Sequence, residues 1–260
     1  MSQFFTTILY QPLFNIFVGL YNYIPDVGVV ILVFTALIKL VLYPLTASSI
    51  KSQKSLTELQ PKLEEAKLKY KGNQQAIAQE TMRIYKENKV SPFASCLPLL
   101  IQLPILIALY YVLQKGLTSN NFDLLYPFIK NPGTINTIAF GFLDLKNGNI
   151  VLALLAGAAQ FWQARMMIRK QPPKEAGAGA KDEGMMATMN KQMLYFMPVM
   201  TVFIGISLPG GLTLYWFFST VLTALQQLIV FKKHGMNQPP TAGKQNGGGG
   251  NEIIEGEVVK

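Results

Sequence analysis

The chain alternates long apolar runs with short polar and charged segments. Five runs, 27–45, 93–113, 150–168, 193–208 and 212–231, are apolar enough to cross a bilayer. A helical span needs about 20 predominantly apolar residues. Residues 4–24 are also apolar, but Gln11, Asn15, Gly19 and Asn22 fall on one helical face and Pro12 sits in the first turn. Such a stripe suits a helix lying in the membrane interface, with a crossing helix as the alternative. The pattern therefore predicts an N-terminal interfacial amphipathic unit, 1–26, ahead of a five-span core, 27–231.

Between spans one and two, segment 47–90 changes its period. Leu56, Leu59, Leu63, Ala66 and Tyr70 recur at helical spacing, as do Ile77, Thr81, Ile84 and Tyr85 after Lys71-Gly72-Asn73. Glu58/Lys62 and Glu65/Lys69 stand four apart, where opposite charges can pair on a helix. This reads as a helical hairpin outside the bilayer. Segment 114–149 holds no run long enough to cross, and Pro209-Gly210-Gly211 makes spans four and five a tight hairpin. The tail, 232–260, is rich in Gly, Pro and Gln and reads as disordered. The fold class is thus an all-α polytopic membrane protein.

Charge sets the orientation. Only 14% of the residues are charged, and the net charge is +9; a soluble chain carries about 25% charged residues. Lysines and arginines crowd into the hairpin, the loop after span three and the tail, whereas the other side offers only Lys115, Lys130 and Lys146. Cytoplasmic loops carry the excess of basic residues. The expected arrangement is N-terminus outside, with hairpin and C-terminus in the cytoplasm. No Lys or Arg precedes Lys39, unlike a mitochondrial presequence, so a bacterial cytoplasmic (inner) membrane is the simplest location. The one cysteine, Cys96, excludes an internal disulfide and reads as a small buried hydrophobe.

Catalytic chemistry has few candidates. The single histidine, His234, lies in the tail, and no HExxH or P-loop occurs. The five runs contain neither Asp nor Glu, which removes a carboxylate dyad and weakens an ion-coupled transporter. No internal repeat is visible. No enzyme, cofactor, metal site or DNA partner is expected.

What remains is Lys39 within span one. A lysine near a span's centre costs about 2.5–3.5 kcal/mol on the insertion scale. Thr35, Lys39, Tyr43 and Thr46 share one face. Lys39 either snorkels towards the headgroups or projects into a hydrated groove. Polar residues line other spans: Ser95 and Gln102 in span two, Gln160 and Gln163 in span three, and Trp216, Thr220, Thr223 and Gln227 in span five. Each alone is ordinary interhelical glue. Together with an unneutralised cation they describe a cavity that accepts the polar, acidic end of a polypeptide.

Several short stretches, in this order, resemble the YidC/Oxa/Alb family of membrane protein insertases. They include Gln11-Pro12-Leu13, Ile38-Lys39-Leu40 with Tyr43-Pro44-Leu45, Leu59-Gln60-Pro61-Lys62 and Val90-Ser91-Pro92. Cys96-Leu97-Pro98, Gln102-Leu103-Pro104, Phe142-Leu143-Asp144, Met197-Pro198, Pro209-Gly210-Gly211 and Leu214-Tyr215-Trp216 follow. The resemblance implies five spans around a hydrophilic groove that is open to cytoplasm and lipid. It implies a groove cation at Lys39, where many bacterial members carry arginine, with Thr35, Gln160 or Gln163, Trp216, Tyr215, Gln102 and Thr220 as further groove residues. It implies nascent membrane proteins as substrates, a hairpin that receives them, and a lipid-exposed route along spans three and five. No large extracytoplasmic domain precedes span one and no lipoprotein signal is seen, so their accessory roles are not implied. The ribosome and the Sec translocon are possible partners; the basic loops equally satisfy the positive-inside rule. A small-anion channel or carrier using Lys39 is the alternative function.

Overall fold

The computed structural model describes residues 3–91, 97–114, 122–167 and 192–233. The expectations for Cys96, His234, the loop after span three and the tail lie outside them. Helix α1 runs over Gln3–Tyr23 and includes a π turn at Thr6–Tyr10. Helices α2 (Val27–Val41), α3 (Tyr43–Glu58), α4 (Gln60–Lys69) and α5 (Gln74–Glu87) follow. Then come α6 (Leu97–Leu113), α7 (Ile150–Met167), α8 (Met197–Ser207) and α9 (Gly210–Lys233). Two short antiparallel strands, β1 (Ile138–Ala139) and β2 (Leu143–Asp144), sit in the segment before α7. Helices α1, α7 and α9 are long and apolar enough to cross a membrane; α2 joins α3 through a bend of 70°, and α6 and α8 are shorter apolar helices.

Each boundary has a local cause. Asp26 caps α2, its Oδ1 accepting from the Gly28 and Val29 amides at 2.8 and 3.1 Å. Asn149 caps α7 in the same way through the amides of Val151 and Leu152. Such caps satisfy amides that a helix start leaves orphaned. The bend lies at Leu42, with Pro44 in the first turn of α3. Proline has no N–H and its ring blocks the carbonyl four residues back. The first apolar run, expected over 27–45, is therefore bent: its last residues begin a helix turned 70° from α2, whose Ile50 still packs against Met167, Val230 and Phe231.

The core joins α1, α2, α6 and α9 through Phe14, Phe17, Ile31, Phe34, Leu109, Leu113 and Tyr215. Helix α7 packs on α8 and α9 through small residues. A Cβ on Gly157 would stand 2.5 Å from Val202, and one on Gly205 would stand 3.1 Å from Ala153, so the backbones approach as closely as small residues permit. Val151, Leu154, Phe203 and Ile206 are exposed on the outside of this pair.

The hairpin forms as its period predicts. Leu59, Leu63, Ala66 and Ile84 make a small core of their own, flanked by Tyr85 and Val90. Gly72 supplies the left-handed turn (φ 89°) and Asn73 caps α5 through the Ala76 amide. The chain breaks at Leu59, between Glu58 and Lys62. The salt bridges found among the described residues are on α5, where Arg83 meets Glu80 and Glu87, and Glu87 accordingly raises the pKa of Arg83.

The polar stripe of α1 has an unexpected use. Asn15 is buried, donating to the Gln11 and Leu124 carbonyls at 2.9 Å and accepting from the Tyr126 amide at 2.6 Å. Gln11 donates to Leu124 O and Asn22 to Lys130 O. The stripe that suggested an interface-lying helix is thus satisfied by the irregular segment 122–136. Tyr10 packs edge-on against Tyr111, near the C-terminal end of α6, and Phe14 stacks on Phe122. From Tyr10 to Asn22, these contacts lie at the end of the bundle away from the hairpin.

Candidate functional site

Lys39 lies near the C-terminal end of α2, half-buried, and turns towards the bundle. Its Nζ donates to Thr223 Oγ1 of α9 at 2.9 Å. Thr223 in turn donates to the Ser219 carbonyl at 2.8 Å. A hydroxyl so placed offers its lone pairs to the ammonium while its proton is bound elsewhere. Lys39 is the only ionisable basic residue in α2, and the adjoining helices α6, α7, α8 and α9 contain no Asp or Glu. Its partner is therefore neutral, and the positive charge is held without being cancelled.

A second polar contact lies beside it on α9. Tyr215 is buried; its hydroxyl accepts from Gln102 Nε2 of α6 at 2.7 Å and is hydrogen-bonded to Ser219. Residues 215, 219 and 223 follow one another at one-turn intervals. One helix face of α9 thus links Gln102 on one side to Lys39 on the other. Towards the hairpin, Gln226 Nε2 donates to the Tyr43 carbonyl at 3.1 Å and to Thr46 Oγ1 at 2.8 Å. This ties α9 to the start of α3 at the bend. Gln227 is buried next to it, its Oε1 without a hydrogen-bond partner among the described residues.

The expected groove residues divide. Lys39, Gln102 and Tyr215 converge on α9. Thr35 is fully buried and donates to Ile31 O at 2.6 Å, within its own helix. Thr220 likewise donates to Trp216 O at 2.8 Å; Trp216 itself is half-exposed. Gln160 is bonded to Thr201 across the α7–α8 seam, so it braces that pair rather than facing Lys39. Gln163 is half-buried one turn further on. Thr223, read from the sequence as part of the polar stripe of span five but not among the groove residues, is the partner that Lys39 finds. Its signal was present, since it stands between Thr220 and Gln227 on the polar stripe, but nothing in one sequence pairs a threonine with a lysine 184 positions away.

Helices of this apolarity, with a cation held between them and basic residues outside, define an all-α polytopic membrane protein. The family model described as 60Kd inner membrane protein matches residues 19–237. A "Membrane protein insertase YidC" of Fusobacterium nucleatum subsp. nucleatum is 35% identical over 212 residues, covering 82% of this chain and 89% of that protein. Another protein of that name, from Francisella philomiragia, is 30% identical over 234 residues, covering 90% of this chain but 37% of its own length. The match therefore spans most of the first relative's length and little over a third of the second's. A crystal structure of an active YidC insertase with its first transmembrane domain resolved aligns with TM-score 0.53 at 24% identity. It covers 86% of this chain and 46% of that one, a likeness of fold. The chain belongs to the 60Kd inner membrane protein family, and it is a multi-pass inner-membrane protein.

Proposed function

We propose that this chain is a membrane protein insertase that takes nascent membrane proteins from the cytoplasmic side into the bilayer. The observation that carries the reading is Lys39, held inside the bundle by a neutral hydroxyl in a chain whose relatives are named insertases. A half-buried charge with no counter-charge among the described residues finds one on its ligand. The acidic residues of a substrate's short polar tail supply it. The tail rests against Lys39 while its apolar segment moves into lipid along the exposed faces of the outer helices. Hydrophobic partitioning drives the step, and the membrane potential adds about 2.3 kcal/mol per charge per 100 mV. Relatives that are insertases support a role without covalent turnover.

The finer arrangement belongs to the same proposal. Helix α1 lies in the outer interface, a reading supported by its contacts with the C-terminal end of α6 and with segment 122–136. The N-terminus is outside, the hairpin and C-terminus are cytoplasmic, and five helices cross or enter the bilayer around the polar face of α9. The hairpin receives the substrate, and the ribosome and Sec translocon are candidate neighbours. The names of the relatives do not favour an anion carrier.

Proteoliposomes test the proposal. The chain is expected to integrate a short-tailed single-span protein without passing small anions. Lys39→Ala should slow integration of acidic-tailed substrates more than of neutral-tailed ones. An ion pair at about 4 Å is worth about 1 kcal/mol in water and about 4 at an effective dielectric of 20. Equal loss for both substrates would remove the electrostatic role, and anion flux without integration would overturn the insertase reading.

A further inference from the structure

The segment 122–149 carries apolar side chains left exposed among the described residues. Phe142 is 81% exposed and Phe128 is 79% exposed, and Tyr23, at the neighbouring end of α1, is 88% exposed. Ile138 and Phe140 are partly exposed beside them. A globular protein in water rarely gathers exposed aromatics in this way.

These side chains are not exposed because the segment is slack. Asn15 binds Leu124 and Tyr126. Tyr21 Oη accepts from the Asn136 amide at 2.9 Å, and Asp26 Oδ2 accepts from the Phe140 amide at 2.7 Å. At the far end, the Gly211 and Gly210 amides donate to Leu145 O and Asn147 O at 3.0 and 2.9 Å. The backbone is fastened from one end to the other, and the aromatics stand out from it.

The height of the segment follows from the helices it touches. Helix α7 shows Ile150 and Val151, each 60% exposed, from its first residue, and α8 shows Ile206 near its end. Hydrocarbon therefore begins at the level of Ile150. Residues 145–147 are bonded to the α9 start at that same level, so the segment can be no further away than the headgroups. Lys130 and Lys146 are exposed on it, and cations are complementary to lipid phosphates. Aromatic residues concentrate at this depth, where an apolar body meets polar surroundings.

We propose that segment 122–149 is a membrane anchor: Phe128 and Phe142, with Tyr23, insert among the phospholipid headgroups at the end of the bundle away from the hairpin. The segment then fixes how deep the helix bundle sits, through lipid as well as through protein contacts. This stands apart from the insertase reading and survives its failure.

Spin labels read the depth directly. In a Cys96→Ser background, the variants Tyr23→Cys, Phe128→Cys and Phe142→Cys carry one nitroxide each. The full chain is placed in vesicles of phosphatidylethanolamine and phosphatidylglycerol. Leu154→Cys, on the lipid face of α7, and Glu65→Cys, on the hairpin, serve as references. The three labels should lose most of the collisions with an aqueous nickel chelate seen at Glu65→Cys and gain the oxygen collisions seen at Leu154→Cys. Collision rates matching Glu65→Cys would overturn the proposal. So would dipolar broadening that disappears on dilution with unlabelled protein, because a second copy would then cover the patch. All three positions are exposed, so the substitutions remove little packing beyond the Phe128 ring contact with Tyr126, and agreement among them guards against one locally distorted variant.

Discussion

Asp26 does two separable jobs, and substitutions can pull them apart. Its Oδ1 caps α2, and its Oδ2 holds the Phe140 amide at 2.7 Å. Losing an N-cap costs about 1 kcal/mol. A hydrogen bond to a charged group contributes about 1.5–3 kcal/mol, and the half-exposed position of Asp26 places this one at the lower end. Asp26→Ala should therefore cost about 2.5 kcal/mol, the sum of about 1 for the cap and about 1.5 for the clamp. Asp26→Ser keeps the cap and should cost only the clamp, about 1.5 kcal/mol. At 1.4 kcal/mol per tenfold, the amide of Phe140 should exchange with deuterium about ten times faster in Asp26→Ser. The amides of Gly28 and Val29 should stay protected in that variant and lose protection in Asp26→Ala. Phe140 has a left-handed backbone (φ 55°), so the clamp also holds a residue in a conformation it does not favour. Hydrogen exchange on the protein in nanodiscs reads all three amides. Unchanged exchange at Phe140 in Asp26→Ser would refute the clamp, and unchanged exchange at Gly28 in Asp26→Ala would refute the cap.

Two further predictions concern buried polar contacts. Tyr215→Phe removes the hydroxyl that Gln102 meets at 2.7 Å; it should destabilise the protein by about 0.6 kcal/mol, and by no more than about 1.7, the measured span for such bonds in membranes. Gln102→Leu should cost less, since Tyr215 keeps Ser219; thermal unfolding in detergent compares the two, and the reverse order would contradict the arrangement. Asn15→Ala leaves the Tyr126 amide without its acceptor, while Leu124 O keeps Gln11, at about 1–3 kcal/mol for an unsatisfied buried group. Protease cleavage within 122–136 should accelerate accordingly while cleavage of the hairpin does not change.

The sequence made the helices legible because apolar runs and helical periods are local signals. The runs 150–168 and 212–231 return nearly unchanged as α7 and α9, and the hairpin's buried positions Leu59, Leu63, Ala66 and Ile84 are those its spacing named. The bend inside the first run was not legible, because hydropathy continues through Tyr43 and Leu45 whereas the backbone turns at Leu42, ahead of Pro44. The stripe on α1 was visible but its partner was not. A row of Gln and Asn reads the same whether water, headgroups or a distant carbonyl satisfies it, and the carbonyls of residues 124 and 130 are more than a hundred positions away. Gln160 illustrates the same blindness within the groove set. Its spacing placed it on a helix face, but only the crossing of α7 with α8 decides that this face meets Thr201.

The choice of partner for Lys39 bears on what the site can do. A carboxylate in α9 would hold the ammonium firmly, and the pair would present no net charge to a passing chain. Apolar surroundings alone would leave the charge unsolvated at a cost of several kcal/mol per ion. Thr223 lies between these limits. It fills one of the three donor positions of the ammonium, fixes the side chain against α9, and leaves the remaining donors and the whole charge for something else. Tyr215 and Gln102 spend their polarity on each other and so do not compete for it. Thr223 can therefore be a groove partner without reducing the attraction of Lys39 for an acidic tail, whereas an aspartate at the same place would remove it.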